Sequence, residues 1–540
     1  MTTHGGRQAA AVGIAVGLGG AGLAVFALAS AFGTEVMPDG PFGLWTPFRS
    51  GGGHRAVELA ATARMLGVVL LVGAWFALRH QPRRTQAWAL LVWSLVLLVI
   101  PPGRGDVYNY VEQGWLVLQG LDPTVVPSGS VAGPYAGWGG AWTGTTVAYP
   151  PVGLALQAAV VWASAGSAWL ALVLMRLLCV VAVVGLWLAL PRLADLFGVS
   201  GRQAGWAVGL NPMIWVHGVA GIHLDMVAVT LAAAALCLLV PVAIRLGGAT
   251  RHGSVAGLVR QAVLGTLLAL MAVGIKPQAA LALCFVVPFA LTRGRSWRLR
   301  QLAQAVASAL VVAVLVGAVA ALSRVSPFGA RWTSATGDPS WASSSWWSIW
   351  ADVAGRAGGA PAMLHEALAP QALLWCSLAA VMVLLVVVLS VRLPEAAMFG
   401  ALTLLVVCTI GPAGRPWYLL PAVLGLGLLR WAPTRQAIVT VLVLVAFSGE
   451  MFGTMSYLGR QAWSWGLAAS LAVTIASVCA TRRDVDADLQ AIDAATGAWQ
   501  DRDDDGAAYV ERLRSGRLDE ASAPSSRSGA GMRPSHRKRK

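Results

Sequence analysis

The sequence predicts an all-α, polytopic membrane protein, and three observations carry that expectation. Of its 540 residues, 57% are hydrophobic and 12% charged, with a mean hydropathy of +0.67. A soluble domain carries about 25% charged residues. Apolar runs of roughly 17–25 residues, long enough to cross a bilayer, recur along most of the chain. Lys and Arg gather in the short connections between those runs and in the C-terminal tail, where topology explains them. The net charge of +15 therefore implies no nucleic-acid partner. All six cysteines (Cys179, Cys237, Cys284, Cys376, Cys408 and Cys479) fall inside apolar segments, so no disulfide framework is expected.

The first apolar run, 9–32, is too long for a cleaved signal and reads as a membrane anchor. Runs 58–78 and 86–102 are joined by the basic stretch RHQPRRTQ, which belongs in the cytoplasm together with the N-terminus. Residues 103–150 then form a long extracytoplasmic loop. The next apolar piece, PVGLALQAAVVWASAG (151–166), would invert every later loop if it crossed, so it is expected to be re-entrant or interfacial. Further crossings are expected near 168–190, 204–218, 222–241, 261–275, 278–291, 301–322, 368–391, 396–411, 417–430, 436–452 and 461–480. That makes about fourteen crossings with both termini cytoplasmic. Residues 1–480 form the transmembrane domain, with a second long extracytoplasmic loop at 323–366. Residues 481–540 are expected to form a charged cytoplasmic tail, largely disordered, whose basic end RPSHRKRK would meet anionic membrane lipid. Within that tail, DRDDDGAAYVE resembles a calcium loop, but Arg512 stands where the bidentate glutamate belongs.

Loops this long in a compact protein are usually functional. Trp115, Trp138 and Trp142 lie in one, and Trp332, Trp341, Trp346, Trp347 and Trp350 in the other. They read either as an interfacial belt or as a surface that stacks on sugars; eight in two loops favour the second.

Ionisable residues in membrane segments cost about 2.5–3.5 kcal/mol each on insertion scales, so each is a functional candidate. NPMIWVHGVAGIHLD (211–225) holds His217, His223 and Asp225. AVGIKPQAA centres on Lys276, and GPAGRPWYLLP holds Arg415, Trp417 and Tyr418. Apart from Lys276, the chain's lysines are Lys538 and Lys540, so a compact ammonium before a helix-breaking proline stands out. It reads as a phosphate partner, with snorkelling at the interface as the alternative. By the topology above, these turns emerge on the outer side with Asp106 and Tyr149. Arg176 lies deeper and reads as a brace within the bundle.

The outer face offers no nucleotide, and no P-loop or dinucleotide fingerprint occurs in the chain. A group transferred there must arrive on a lipid carrier, and a polyprenyl phosphosugar suits these features. Lys276, Arg415, His217 and His223 would hold its phosphate. Asp106 would accept the proton of an acceptor hydroxyl, although an N-cap role for VYNYVEQGWLVL competes. Tyr108, Gln113, Asp122, Trp142, Tyr149, Asp225, Trp417 and Tyr418 are the candidate sugar and acceptor contacts. Gln113 and Asp122 could equally hold the loop. His217 and His223 are six apart, off the i,i+4 face a metal would use, so neither a metal nor another cofactor is expected.

The set GDVYNYVEQG, GLDP, AWTGTTVAYPP, NPMIWVHGVAGIHLD, GIKP, RPWYLLP and MSYLGRQAW, in this order across about residues 60–465, resembles one family. It is that of the polyprenol-phosphate-mannose-dependent α-(1→6)-mannosyltransferases of the MptA/MptB type. The resemblance implies a glycosyltransferase-C-like bundle of about 13–15 transmembrane helices with its active site outside the cytoplasm. It implies inverting transfer of mannose from polyprenyl-phosphate mannose to an α-(1→6)-mannan acceptor of lipomannan and lipoarabinomannan type, with Asp106 as general base. The chain departs from the family's D-P-Y at Asp122-Pro123-Thr124, from Y-G-P at Tyr149-Pro150-Pro151, and from H-N-D/E at His223-Leu224-Asp225. These departures bear on the polar shell around the sugar. A transporter or flippase of a polyprenyl-linked sugar is the rival reading, but the internal repeats common in transporters are not evident. A non-catalytic envelope assembly partner is a third.

Overall fold

A computed structural model describes residues 4–49, 54–103, 105–140, 143–147, 149–246, 254–283, 297–332 and 416–428. Among these residues every regular element is helical. The longer ones are α1 (His4–Ala31), α2 (His54–Ala77), α3 (Arg83–Val99), α4 (Asp106–Leu118), α5 (Pro151–Ala163), α6 (Ala168–Leu196), α7 (Asp225–Leu246), α8 (Val255–Ile275) and α9 (Trp297–Ser323). Five segments are long and apolar enough to cross a membrane: Ala9–Ala31, Leu59–Ala77, Ala168–Leu196, Asp225–Arg245 and Val255–Ile275. The protein is a multi-pass membrane protein, helical throughout its described elements. The crossings expected at 368–391, 396–411, 436–452 and 461–480 lie outside the described residues, as does the tail at 481–540.

Packing follows the chemistry of helices in lipid, where small residues let backbones approach. A Cβ on either Gly22 or Gly67 would come within 2.6 Å of the other glycine's carbonyl oxygen, so α1 and α2 touch backbone to backbone there. From α3, the Trp93 indole N–H donates to the Val16 carbonyl of α1 at 3.0 Å. Trp75 of α2 stacks on Trp206 at 4.6 Å, and each indole N–H donates to the other's carbonyl, at 2.9 and 2.7 Å.

One expected crossing, 204–218, is not a single regular helix. A helical turn at Gly201–Ala204 passes into π-helical turns at Gly205–Gly209 and Ile214–Ala220, with a break at Leu210 and Asn211. Pro212 brings no N–H to the ladder. The Asn211 side chain replaces part of what is lost, donating to the Ala207 carbonyl and accepting from the Met213 N–H, both at 2.9 Å. At 13 residues, α5 is about 20 Å long and too short to cross a hydrocarbon core of about 30 Å by itself.

The helices are chemically polarised end to end. α3 starts with Arg83 and Arg84, and α7 carries Arg245 in its last turn. Arg83 donates to the carbonyls of Trp187 and Gly201, both at 3.0 Å, with its guanidinium 3.8 Å over the Trp187 ring. At the opposite ends α4 begins at Asp106, α7 begins at Asp225, and α8 runs into Lys276. Arg176, buried in α6, donates to the carbonyls of Leu97 and Ile100 and so satisfies the end of α3, a bracing role.

Candidate active site at the acidic ends of the helices

Asp106 is the first residue of α4, after the extended Gly105. Its place in the first turn suits a carboxylate, because the helix dipole is positive there. One turn on, at the spacing that puts side chains on one face, the Tyr110 hydroxyl donates to Asp106 Oδ2 at 3.4 Å. The Tyr149 hydroxyl donates in turn to the Tyr110 oxygen at 2.9 Å. On its other side Asp106 Oδ2 lies 3.5 Å from His223 Nδ1. Burial, then each other and the carboxylates of Asp106 and Asp225, hold the Tyr110 phenol well above its ordinary pKa. Burial likewise raises the Tyr149 phenol, against the opposing charge of Lys276. Both therefore remain protonated donors, and the string runs from Tyr149 through Tyr110 to the carboxylate.

His223 reaches this position through a strained turn. Ile222 has φ of 55° and is fully buried, a left-handed conformation that β-branched residues rarely hold. The imidazole stacks on the Trp417 indole at 3.8 Å and 12°, and Tyr418 meets Trp417 edge-on at 6.1 Å.

Lys276 caps the end of α8 with an extended backbone. Its ammonium lies 3.7 Å from Asp225 Oδ2, 4.2 Å from the centroid of the Tyr149 ring and 5.3 Å from that of Tyr418. Burial works against the charge. Asp225 first, then Tyr149 and Tyr418, outweigh it and keep the lysine pKa well above its ordinary value.

Six candidates from separate stretches of sequence are thus joined: Asp106, Tyr149, His223, Asp225, Lys276 and Tyr418, with Trp417 stacked on the histidine. Tyr110 completes the set and was not among the sequence candidates, although its place one turn after Asp106 was readable. His217 lies buried on the adjoining π-helical turn. Arg415 and Trp142 lie outside the described residues, as do Trp341, Trp346, Trp347 and Trp350. Among the described residues no group of three or more His, Cys, Asp or Glu side chains is placed to hold a metal ion.

Other candidates make contacts that hold the fold. Asp122 accepts from the Thr124 N–H and hydroxyl at 2.9 and 2.8 Å, and from the N–H groups of Gly329 and Ala330 at 2.8 and 3.2 Å. Of its two readings, loop-holding is the one these bonds serve. Thr124 joins the same latch by accepting from the Arg331 N–H at 3.2 Å. Tyr108 is buried, donates to the Pro102 carbonyl at 3.2 Å, and meets Trp138 edge-on. Trp138 and Trp115 both pack against Tyr135, and the Trp332 indole donates to Ser323 Oγ. These three tryptophans therefore pin their loops down. Gln113 is fully buried, with no hydrogen bond to its amide among the described residues.

The alpha-(1->6)-mannopyranosyltransferase N-terminal domain family matches residues 15–292. An alpha-(1->6)-mannopyranosyltransferase A of Mycobacterium tuberculosis is 29% identical over 297 residues, 52% of this chain and 53% of that protein. A second relative with that description, from Corynebacterium glutamicum, is 25% identical over 244 residues, 42% of this chain and 46% of its own. The matched stretch thus spans about half the length of these relatives. Two crystal structures of ArnT from Cupriavidus metallidurans are also similar. The apo form has TM-score 0.34 and 15% identity, covering 73% of this chain and 76% of that one. The form bound to undecaprenyl phosphate has TM-score 0.35 and 17% identity, covering 74% and 78%.

Proposed function

The chain belongs to the alpha-(1->6)-mannopyranosyltransferase family, and on that premise we propose that it transfers mannose from a polyprenyl-phosphate-mannose donor to an α-(1→6)-mannan acceptor. The transfer takes place on the extracytoplasmic side, with inversion at the sugar carbon, in the assembly of lipomannan-type envelope glycans. One observation carries the reading: the Asp106 carboxylate and the Lys276 ammonium belong to one polar string, linked through Tyr110 and Tyr149.

Each end has a task. The acceptor hydroxyl attacks the mannose anomeric carbon as the bond from that carbon to the phosphate oxygen breaks. Asp106 takes the hydroxyl proton, a contribution of about 10²–10⁴ in rate for a positioned base. The phosphate departs with one more negative charge, which Lys276 stabilises; losing one such preorganised partner typically costs about 10²–10³ in rate. His223, held flat by Trp417, and Tyr110 keep the Asp106 carboxylate aimed. Tyr149, Tyr418 and Trp417 supply aromatic faces for the sugar. The isoprenoid tail lies among the apolar helices, and Arg415 is proposed as a second phosphate contact.

The test is incubation of the purified full chain with synthetic polyprenyl-phosphate mannose and a short α-(1→6)-mannoside, with linkage analysis of the product. An added α-(1→6)-mannose is expected. Movement of the labelled lipid across vesicles with no glycosidic bond formed would replace this reading with the transporter.

A further inference from the structure

The pairing of Lys276 with Asp225 is close in charge and loose in geometry. Their side chains are 8% and 2% exposed, yet Nζ and Oδ2 stand 3.7 Å apart, beyond hydrogen-bond reach. Among the described residues Asp225 Oδ2 has no hydrogen bond at all. A buried ammonium needs an anion, and a buried pair is normally closed by charge-assisted bonds of about 2.7–2.9 Å. Here the ammonium rests on the faces of Tyr149 and Tyr418 instead. The carboxylate, for its part, is steadied by its place in the first turn of α7. The turn before it is fixed by Ile222, so neither partner sits where it would if their mutual contact were the purpose of the site.

We propose that Asp225 is a resident counter-ion for Lys276 that the lipid phosphate displaces. Resting on the phosphate reading above, Asp225 is then a positioning residue. In the empty site it keeps the ammonium charged and turned toward the two tyrosine rings. A phosphate entering on that side offers shorter bonds and takes over the lysine. Once the sugar has left, the carrier is a monoester bearing more negative charge than the donor, and it binds the lysine more strongly. The nearby Asp225 carboxylate then competes for the same ammonium and drives the spent carrier out.

The test measures binding of a synthetic polyprenyl monophosphate to the full chain in nanodiscs, together with steady-state kinetics. Asp225→Asn removes the competitor, so affinity for the monophosphate rises on the order of tenfold, kcat falls, and KM for the donor falls with it. Asp225→Glu extends the carboxylate toward the ammonium and weakens monophosphate binding. A merely structural aspartate would lower affinity in both variants. Unchanged or weaker binding in Asp225→Asn, or unchanged or tighter binding in Asp225→Glu, overturns the counter-ion role; where the asparagine variant does not fold, the glutamate variant decides. Lys276→Met separates the two levels. If it binds the monophosphate as the parent does, the phosphate reading falls and this inference falls with it. If it loses binding while Asp225→Asn gains none, the counter-ion role falls alone.

Discussion

At the residue scale, two substitutions separate the proposed base from the groups that aim it. Asp106→Asn preserves shape and removes the proton acceptor. Mannosyl transfer is expected to fall by about 10²–10⁴ while the purified protein keeps its unfolding temperature; near-normal turnover would strip Asp106 of its role. Tyr110→Phe keeps the ring and deletes the hydroxyl that links Tyr149 to Asp106. A net hydrogen bond is worth about 0.5–1.5 kcal/mol, so a loss of roughly threefold to tenfold in kcat is expected, with KM for the donor little changed. A drop as deep as that of Asp106→Asn would mean that Tyr110 itself touches the reacting atoms. Much of this cluster was legible in the sequence, because basic loops fix the parity of the crossings and parity sends Asp106, His223, Asp225 and Lys276 to one end. The loop bonds of Asp122 and Tyr108 were not legible, for a physical reason. An acid or a tyrosine looks the same in sequence whether its polar atoms face a ligand or the protein's own backbone, as Asp122 faces the N–H groups of Gly329 and Ala330 and Tyr108 the carbonyl of Pro102.

At the scale of elements, the long helices were legible and their irregularities were not. Hydropathy finds α1, α2, α6, α7 and α8 because lipid demands an apolar surface over a known length. It passes over the break at Leu210 and Asn211, since the π-helical turns there depend on Asn211, Trp206 and their tertiary partners, while the residues themselves stay apolar. The contact between α4 and α5 is equally silent in sequence and makes a sharp prediction. A Cβ on Gly114 would lie 2.5 Å from the Gln157 carbonyl oxygen, whereas one on Gly144 would meet nothing within 4 Å. Gly114→Ala therefore overpacks the helix that carries Asp106, at a cost of about 1–3 kcal/mol, and Gly144→Ala should be near neutral. Thermal unfolding in detergent distinguishes them, and equal behaviour of the two would contradict the packing of α4 on α5. The latch from Asp122 to Gly329 and Ala330 is a second such device. Asp122→Ala leaves three N–H groups and a hydroxyl without their shared acceptor, and hydrogen bonds to a charged group are worth about 1.5–3 kcal/mol each. Faster proteolysis within residues 122–147 is expected, with a raised KM for the acceptor; unchanged cleavage would show that the latch does not hold the loop.

At the scale of the whole molecule, the proposal requires the acidic ends of the helices to face out of the cell. Asp106, Asp225 and Lys276 lie at helix ends opposite those that bear Arg83, Arg84 and Arg245, and positive charge favours the cytoplasm. Orientation decides the chemistry, since a cytoplasmic site could draw on soluble nucleotide sugars and would have no need of a lipid-borne donor. Exposed positions at each end make the question measurable. Val125 and Val325, 46% and 83% exposed, flank the Asp122 latch, while the exposed His80 lies in the basic turn before α3. With the six native cysteines replaced, Val125→Cys and Val325→Cys should react with a membrane-impermeant thiol reagent on intact cells. His80→Cys should react only after permeabilisation. The reverse pattern would put Asp106 and Lys276 at the cytoplasmic face. The polar string would still exist, but an extracytoplasmic transfer from polyprenyl-phosphate mannose would be impossible there, however well the isolated residues fit it.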